Sequence, residues 1–134
     1  MSEILRRIDK SISEYSAALM NNTKWREVLN ILGETSMPVQ FAFVREEEFS
    51  SHQIKFPIGG CNETHTKDCT MHGPFSFKEI YAIKCPVVEL RANGKTGAKY
   101  KCTERSDRFL DKVKAIGIVP IEIREEFIHI KGYE

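Results

Sequence analysis

The chain has 134 residues, a formal net charge of +1, 41% apolar residues and 29% charged residues. That length supports one domain with its own core. The balanced charge excludes a global field drawing it onto nucleic acid or an anionic membrane. No stretch approaches the roughly 20 apolar residues of a membrane span. The opening Met-Ser-Glu-Ile-Leu-Arg-Arg does not read as a signal peptide, so the four cysteines are expected as reduced thiols in the cytoplasm.

Ile4, Ile8, Ile12, Tyr15 and Leu19 recur at helical spacing, with Arg6, Lys10 and Glu14 turned away. They predict a first helix capped by Ser2, its stripe used for core packing rather than a membrane or partner. Asn21-Asn22-Thr23 supplies caps for a second helix over 24–32, which carries Trp25, Val28, Leu29 and Leu32 on one face. Gly33 then falls where a C′ glycine belongs.

Pro38 opens a strand over 39–44, with Val39, Phe41 and Phe43 on one side. Glu46, Glu47 and Glu48 follow as a charge run that reads either as a solvated turn or as an acidic contact surface. From Phe49 to Pro74 periodicity lapses into a long loop, a length that is uncommon in compact domains and often functional.

Inside that loop lie Cys61, His65, Cys69 and His72, spaced C-x3-H-x3-C-x2-H. Thiolate and imidazole are the ligands tetrahedral zinc prefers. The spacing misses the usual knuckle, where two cysteines share one tight turn. The segment is therefore expected to be a polar loop with incidental Cys and His, with zinc as the alternative. His65 and His72 also suit an acid–base pair for RNA cleavage, with Lys55 or Lys67 stabilising the developing charge. His52 is a third candidate in the same loop.

A strand follows over 78–85, ending at Cys85, a small core residue. Residues 87–91 form the next, and Asn93-Gly94 predicts a hairpin because both residues tolerate positive φ. Its return arm runs over 99–103. Gly94-Lys95-Thr96 imitates the end of a phosphate-binding loop, but Glu89 stands where that motif needs glycine. Segment 91–114 holds eight basic residues against three acidic ones, a local excess of five positive charges that includes Lys95, Lys99 and Lys101. Such lysines block edge pairing, or they contact an acidic partner. Tyr100 is the sole aromatic residue here suited to stacking on a base, so nucleic acid is disfavoured.

Ser106 caps a third helix over 107–116, with Phe109, Leu110, Val113 and Ile116 inward and Gly117 at its end. Residues 119–124 and 127–131 alternate as a C-terminal hairpin turning near Glu125-Glu126, with His129 outward. The order predicts a single α+β domain with a mainly antiparallel sheet, two N-terminal helices and one later helix.

Three blocks carry a family likeness: Asn21-Asn22-Thr23-Lys24-Trp25, Gly73-Pro74-x-x-Phe77-Lys78-Glu79-Ile80, and Ile128-His-Ile-Lys-Gly-Tyr133. They resemble a family of small bacterial proteins of unknown function, over residues 21–133 in pieces. The segment before Met20 and the Cys/His loop depart from that pattern. The resemblance brings no catalytic residues. In size and habit the chain is similar to immunity proteins encoded beside bacterial toxins, an analogy that implies a non-enzymatic protein occluding a toxin's active site. A toxin of nuclease type would meet Glu46–Glu48, whose carboxylates mimic phosphate. A zinc-stabilised module and a histidine-dependent ribonuclease are the alternatives.

Overall fold

Three sequence blocks far apart in the chain meet at one packing point, and the fold is organised around it. A computed structural model describes residues 9–10, 12–15, 17–44, 48–49, 54–55 and 75–134. Its well-formed elements are α1 (Asn22–Thr35), β1 (Pro38–Phe43), β2 (Ile54–Lys55), a 3-10 turn (Phe77–Glu79) and β3 (Ile80–Pro86). They continue through β4 (Glu89–Ala92), β5 (Lys99–Cys102), α2 (Glu104–Ile116), β6 (Ile121–Arg124) and β7 (Phe127–Lys131). The protein is α+β, with an antiparallel five-stranded sheet ordered β2-β1-β3-β7-β6 and a separate β4-β5 hairpin.

Helix α1 starts as its sequence predicts. Asn21 Oδ1 accepts a hydrogen bond from the Lys24 amide at 2.8 Å, satisfying one of the orphan donors of the first turn. Trp25, Val28, Leu29 and Leu32 are all buried. The end differs. Gly33 lies inside the helix and is buried, and Ser36 supplies the left-handed residue at φ 53°. The Ser36 amide bonds to Gly33 O and the Met37 amide to Leu32 O, so the last carbonyls are satisfied without a C′ glycine.

The first helix ends before its stripe implies; Ser2, Ile4 and Ile8 lie outside the described residues. Asp9–Lys10 and Ile12–Ser13 are helical, but the chain turns at Glu14. Ala17–Leu19 runs extended beside the C-terminus: Leu19 N donates to Gly132 O at 2.8 Å, and Glu134 N donates to Ala17 O at 2.9 Å. Those bonds to distant chain outweigh local helical propensity for Leu19. Ile12 and Tyr15 pack with Val44, Tyr81 and Tyr133 in a small second cluster, and Tyr15 stacks on both Tyr81 and Tyr133.

Across the sheet, Phe41, Ile83, Ile130 and Ile121 stand in register as one apolar row on the face covered by α1 and α2. Phe109 and Val113 of α2 complete this core. Each such side chain taken from water contributes roughly 1.5–3 kcal/mol. Residues 49–74, expected to be a loop, contain strand pairing: Phe49 bridges to Ala42, and Ile54–Lys55 pairs with Pro38–Val39. Too short to show alternation, β2 carries no period-2 signal.

Both hairpins form with turn chemistry of their own. At 93–98, neither Asn93 nor Gly94 takes positive φ; Gly97 does, at 73°. Asn93 acts through its side chain, whose Oδ1 accepts from the Lys95 and Thr96 amides. Between β6 and β7, Glu125 and Glu126 adopt φ of 53° and 66°. This is the geometry of a two-residue type I′ turn, which normally selects Asn-Gly. Ser106 is not a cap. It lies within α2, and its hydroxyl donates to Val87 O at 2.7 Å, tying the start of the hairpin to the helix.

Gly132 occupies the meeting point of the three blocks. A Cβ there would lie 2.5 Å from Ile80 O and 3.1 Å from Cζ2 of Trp25. The Gly132 amide donates to Tyr81 O at 2.7 Å. Register slips at the same place, where Phe43 pairs with Ile80 and leaves Tyr81 as the extra residue of a bulge.

Two stability outcomes follow. Trp25→Ala is expected to cost about 3–5 kcal/mol in urea unfolding, since its ring is buried against β3 and Gly132; a loss below about 1 kcal/mol would contradict that packing. Replacing Glu125-Glu126 by Asn-Gly puts a residue that tolerates the left-handed region at 125 and one without a Cβ at 126, and the urea midpoint should rise by the equivalent of about 1 kcal/mol.

Candidate binding surface

The hairpin β4–β5 stands apart from the main sheet, and every residue from 92 to 101 is exposed. Pairing places Leu90 opposite Lys101 and Ala92 opposite Lys99 on one face, with Glu89–Cys102 and Arg91–Tyr100 on the other. The second face is fastened to α2: Arg105 approaches Glu89 at 3.5 Å and Arg91 approaches Glu104 at 3.9 Å. Arg105 Nη1 also donates to Ser36 O, so its guanidinium joins the hairpin base to the end of α1. Leu90, Lys99 and Lys101 are left on the face turned from the helix, with Lys95 in the connecting turn. Leu90 is 66% exposed and Tyr100 49% exposed, large values for apolar and aromatic side chains.

Of the other expected contact residues, Glu48 is exposed, next to Phe49, which bridges to β1. Glu46 and Glu47 lie outside the described residues, as do Cys61, His65, Cys69 and His72, so their geometry is not defined. Among the described residues no three His, Cys, Asp or Glu side chains gather as a metal site. Cys85 is fully buried, as its strand position predicts, and burial pushes its thiol well above the ordinary range. Gly94-Lys95-Thr96 sits in a strand-to-strand turn rather than before a helix, unlike a phosphate-binding loop.

One constellation was missed. The face of the sheet opposite the helices carries Gln40, Lys84, His129 and Glu122 in register across four strands. His129, expected at the surface, is 9% exposed, with the Phe49 ring edge-on at 5.8 Å. Lys84 Nζ sits between two rings, 4.8 Å from the centre of Phe49 and 4.7 Å from that of Phe127. A cation over two aromatic faces gains roughly 0.5–2 kcal/mol from each ring quadrupole. In sequence, alternation in Phe127–Lys131 implied one wet face. In the structure β7 lies between two strands, and Phe49 covers its second face. The only hint was the apolar density of that run.

His129 has its pKa lowered, chiefly by burial and then by Arg124 and Lys84, with Glu122 and Glu125 opposing. The arrangement holds a neutral imidazole in a packed layer.

Together these elements define a small α+β domain, helices on one face of an antiparallel sheet, from which a basic hairpin projects. The chain belongs to a family of unknown function, DUF6678, whose model matches residues 9–134. That match takes in part of the segment before Met20 and the whole Cys/His loop, both of which had been set apart as departures. No match exists among curated proteins or among solved structures. No helix of the described residues is long and apolar enough to cross a membrane.

Depressed basicity of His129 gives a signed pH dependence. Above about pH 6.5, its ordinary value, the imidazole is neutral folded and unfolded and contributes no slope. As pH falls below that value the unfolded chain takes up the proton first, so stability declines until the lower folded value is passed. The urea midpoint should therefore drop between pH 7 and pH 5, and His129→Gln should show a smaller drop. Equal slopes in the two proteins would place the effect on other groups.

Proposed function

We propose that this protein is a non-enzymatic binding module that docks on an acidic protein surface through the outward face of its β4–β5 hairpin. The observation that carries the reading is the hairpin itself, where an exposed Leu90 stands among Lys95, Lys99 and Lys101 on a ribbon anchored at its base by ion pairs. Apolar anchors framed by one sign of charge are what protein interfaces use: the anchor supplies burial, the charges supply steering and register. A two-stranded ribbon also reaches into a concavity that a flat sheet face does not.

The concrete role we propose is neutralisation of a toxin, in the manner of the immunity proteins the chain resembles in size. A rigid scaffold with a projecting charged element is sufficient to occlude an active site lined with carboxylates. If the toxin instead presents a basic nucleic-acid-binding cleft, the run Glu46–Glu48 is the contact, and Glu48 is exposed for it.

The test is co-expression with the product of the gene immediately upstream. Growth arrest by that product should be relieved by this protein, and the triple variant Lys95→Glu, Lys99→Glu, Lys101→Glu should weaken binding at least about tenfold while leaving the melting curve in place. Unchanged binding by that folded variant would remove the hairpin from the interface. RNA degradation lost with His65→Ala, or about one zinc per chain lost with Cys61→Ser, would move the function into the Cys/His loop.

A further inference from the structure

Strand β6 is an edge of the main sheet, and no strand among the described residues pairs with its outer side. The two-residue turn at Glu125-Glu126 makes Arg124 and Phe127 a hydrogen-bonded pair. Antiparallel alternation then makes Glu122–His129 the next bonded pair. Backbone groups of Ile121 and Ile123 consequently point away from β7. The Ile121 amide accordingly turns out to Val119 O at 2.9 Å. The amide and carbonyl of Ile123 have no partner among the described residues.

Edges of this kind are usually protected by lysine, a bulge or a covering element. Residues 121–124 read Ile-Glu-Ile-Arg, without lysine, and the pairing with β7 is regular. The Ile123 side chain, beside the open backbone groups, is 56% exposed. Pro120 before the strand and the turn after it confine any pairing to these four residues.

We propose that β6 pairs antiparallel with β6 of a second copy, about a two-fold axis at Ile123, joining two sheets edge to edge. Charge and hydrogen-bond parity select this register over its neighbours. Centred on Ile123, the open amide and carbonyl of each copy meet those of the other, and Glu122 stands across from Arg124 of the partner subunit, twice by symmetry. Centred on Glu122, two carboxylates would face each other. An axis between residues would set outward backbone groups against inward ones and form no bonds. Glu122 already contacts Arg124 of its own chain at 3.0 Å and Lys131 at 3.7 Å, so its carboxylate is held on the face where the partner's Arg124 would arrive.

A pairing of three residues per strand, 122–124, buries less than the roughly 1,200 Å² at which stable interfaces begin, so the dimer is weak and concentration-dependent. Sedimentation at rising protein concentration should show a monomer–dimer equilibrium in the unmodified chain. Glu122→Arg alone sets arginine against arginine, and Arg124→Glu alone sets glutamate against glutamate. Each should lower the association constant roughly tenfold or more. An equimolar mixture of the two variants restores both opposite-charge pairs and should form a heterodimer at least as readily as the unmodified chain dimerises. Circular dichroism confirms that each variant is folded, and Ile123→Lys serves as a second disruptive variant on the same edge. A monomer at every concentration overturns the proposal. So does a dimer indifferent to the single variants, or a mixture of folded variants that stays monomeric.

Discussion

The contact of Gly132 with the backbone of Ile80 and Tyr81, beneath the ring of Trp25, is the constraint on which the rest of the molecule depends. It brings the start of α1, the start of β3 and the end of β7 to one point. Only a residue without a side chain allows the approach, because a Cβ at 2.5 Å from a carbonyl oxygen has no room to relax. From that point β3 runs between β1 and β7, and its register puts Ile83 into the row that α1 and α2 cover. The short blocks that suggested a family likeness are therefore a packing device. Asn21 starts the helix that delivers Trp25, Glu79 accepts from the Ser76 amide and hydroxyl to shape the turn before Ile80, and Gly132 closes the joint.

What was legible in sequence is what obeys local periodicity or a local cap. The stripe of Trp25, Val28, Leu29 and Leu32 and the inward Phe109 and Val113 gave their helices directly. Alternation gave β1 and the C-terminal hairpin, and with them the α+β class. One group of differences shares a physical origin, since each involves a partner distant in the chain. Leu19 leaves its helical stripe because Gly132 offers its amide a bond. Ser106 looks like a cap and instead reaches Val87. His129 looks outward and is covered by Phe49, some eighty residues earlier in the chain. Gly33 and Asn93-Gly94 are a second kind of error, in which a permissive residue was read as one in use. Positive φ is adopted instead by Ser36, Gly97, Glu125 and Glu126.

The basic hairpin was visible as composition but not as geometry. Counting charges over 91–114 could not separate the face bearing Leu90, Lys99 and Lys101 from the face held to α2 by Glu89 and Arg91. That separation matters because neutralised charges do not steer a partner, whereas unpaired ones on a projecting ribbon do. The same geometry accounts for the exposed Leu90 and Tyr100, which a ribbon outside the main sheet has no second layer to cover.

The β4–β5 hairpin and the β6 edge differ in the sign pattern of their charges, which is why different partners are proposed for them. Strand β5 carries Lys99 and Lys101, with Lys95 in the turn before it, so a second copy laid against the hairpin meets charge of its own sign. Self-association there is opposed, and only an acidic surface gains. Strand β6 carries Glu122 and Arg124 at positions that a two-fold axis at Ile123 exchanges, so its own copy meets opposite charge. On the proposed readings the hairpin selects against self and the sheet edge selects for it, and the two contacts are compatible: a chain paired through β6 would still present its hairpin to a partner.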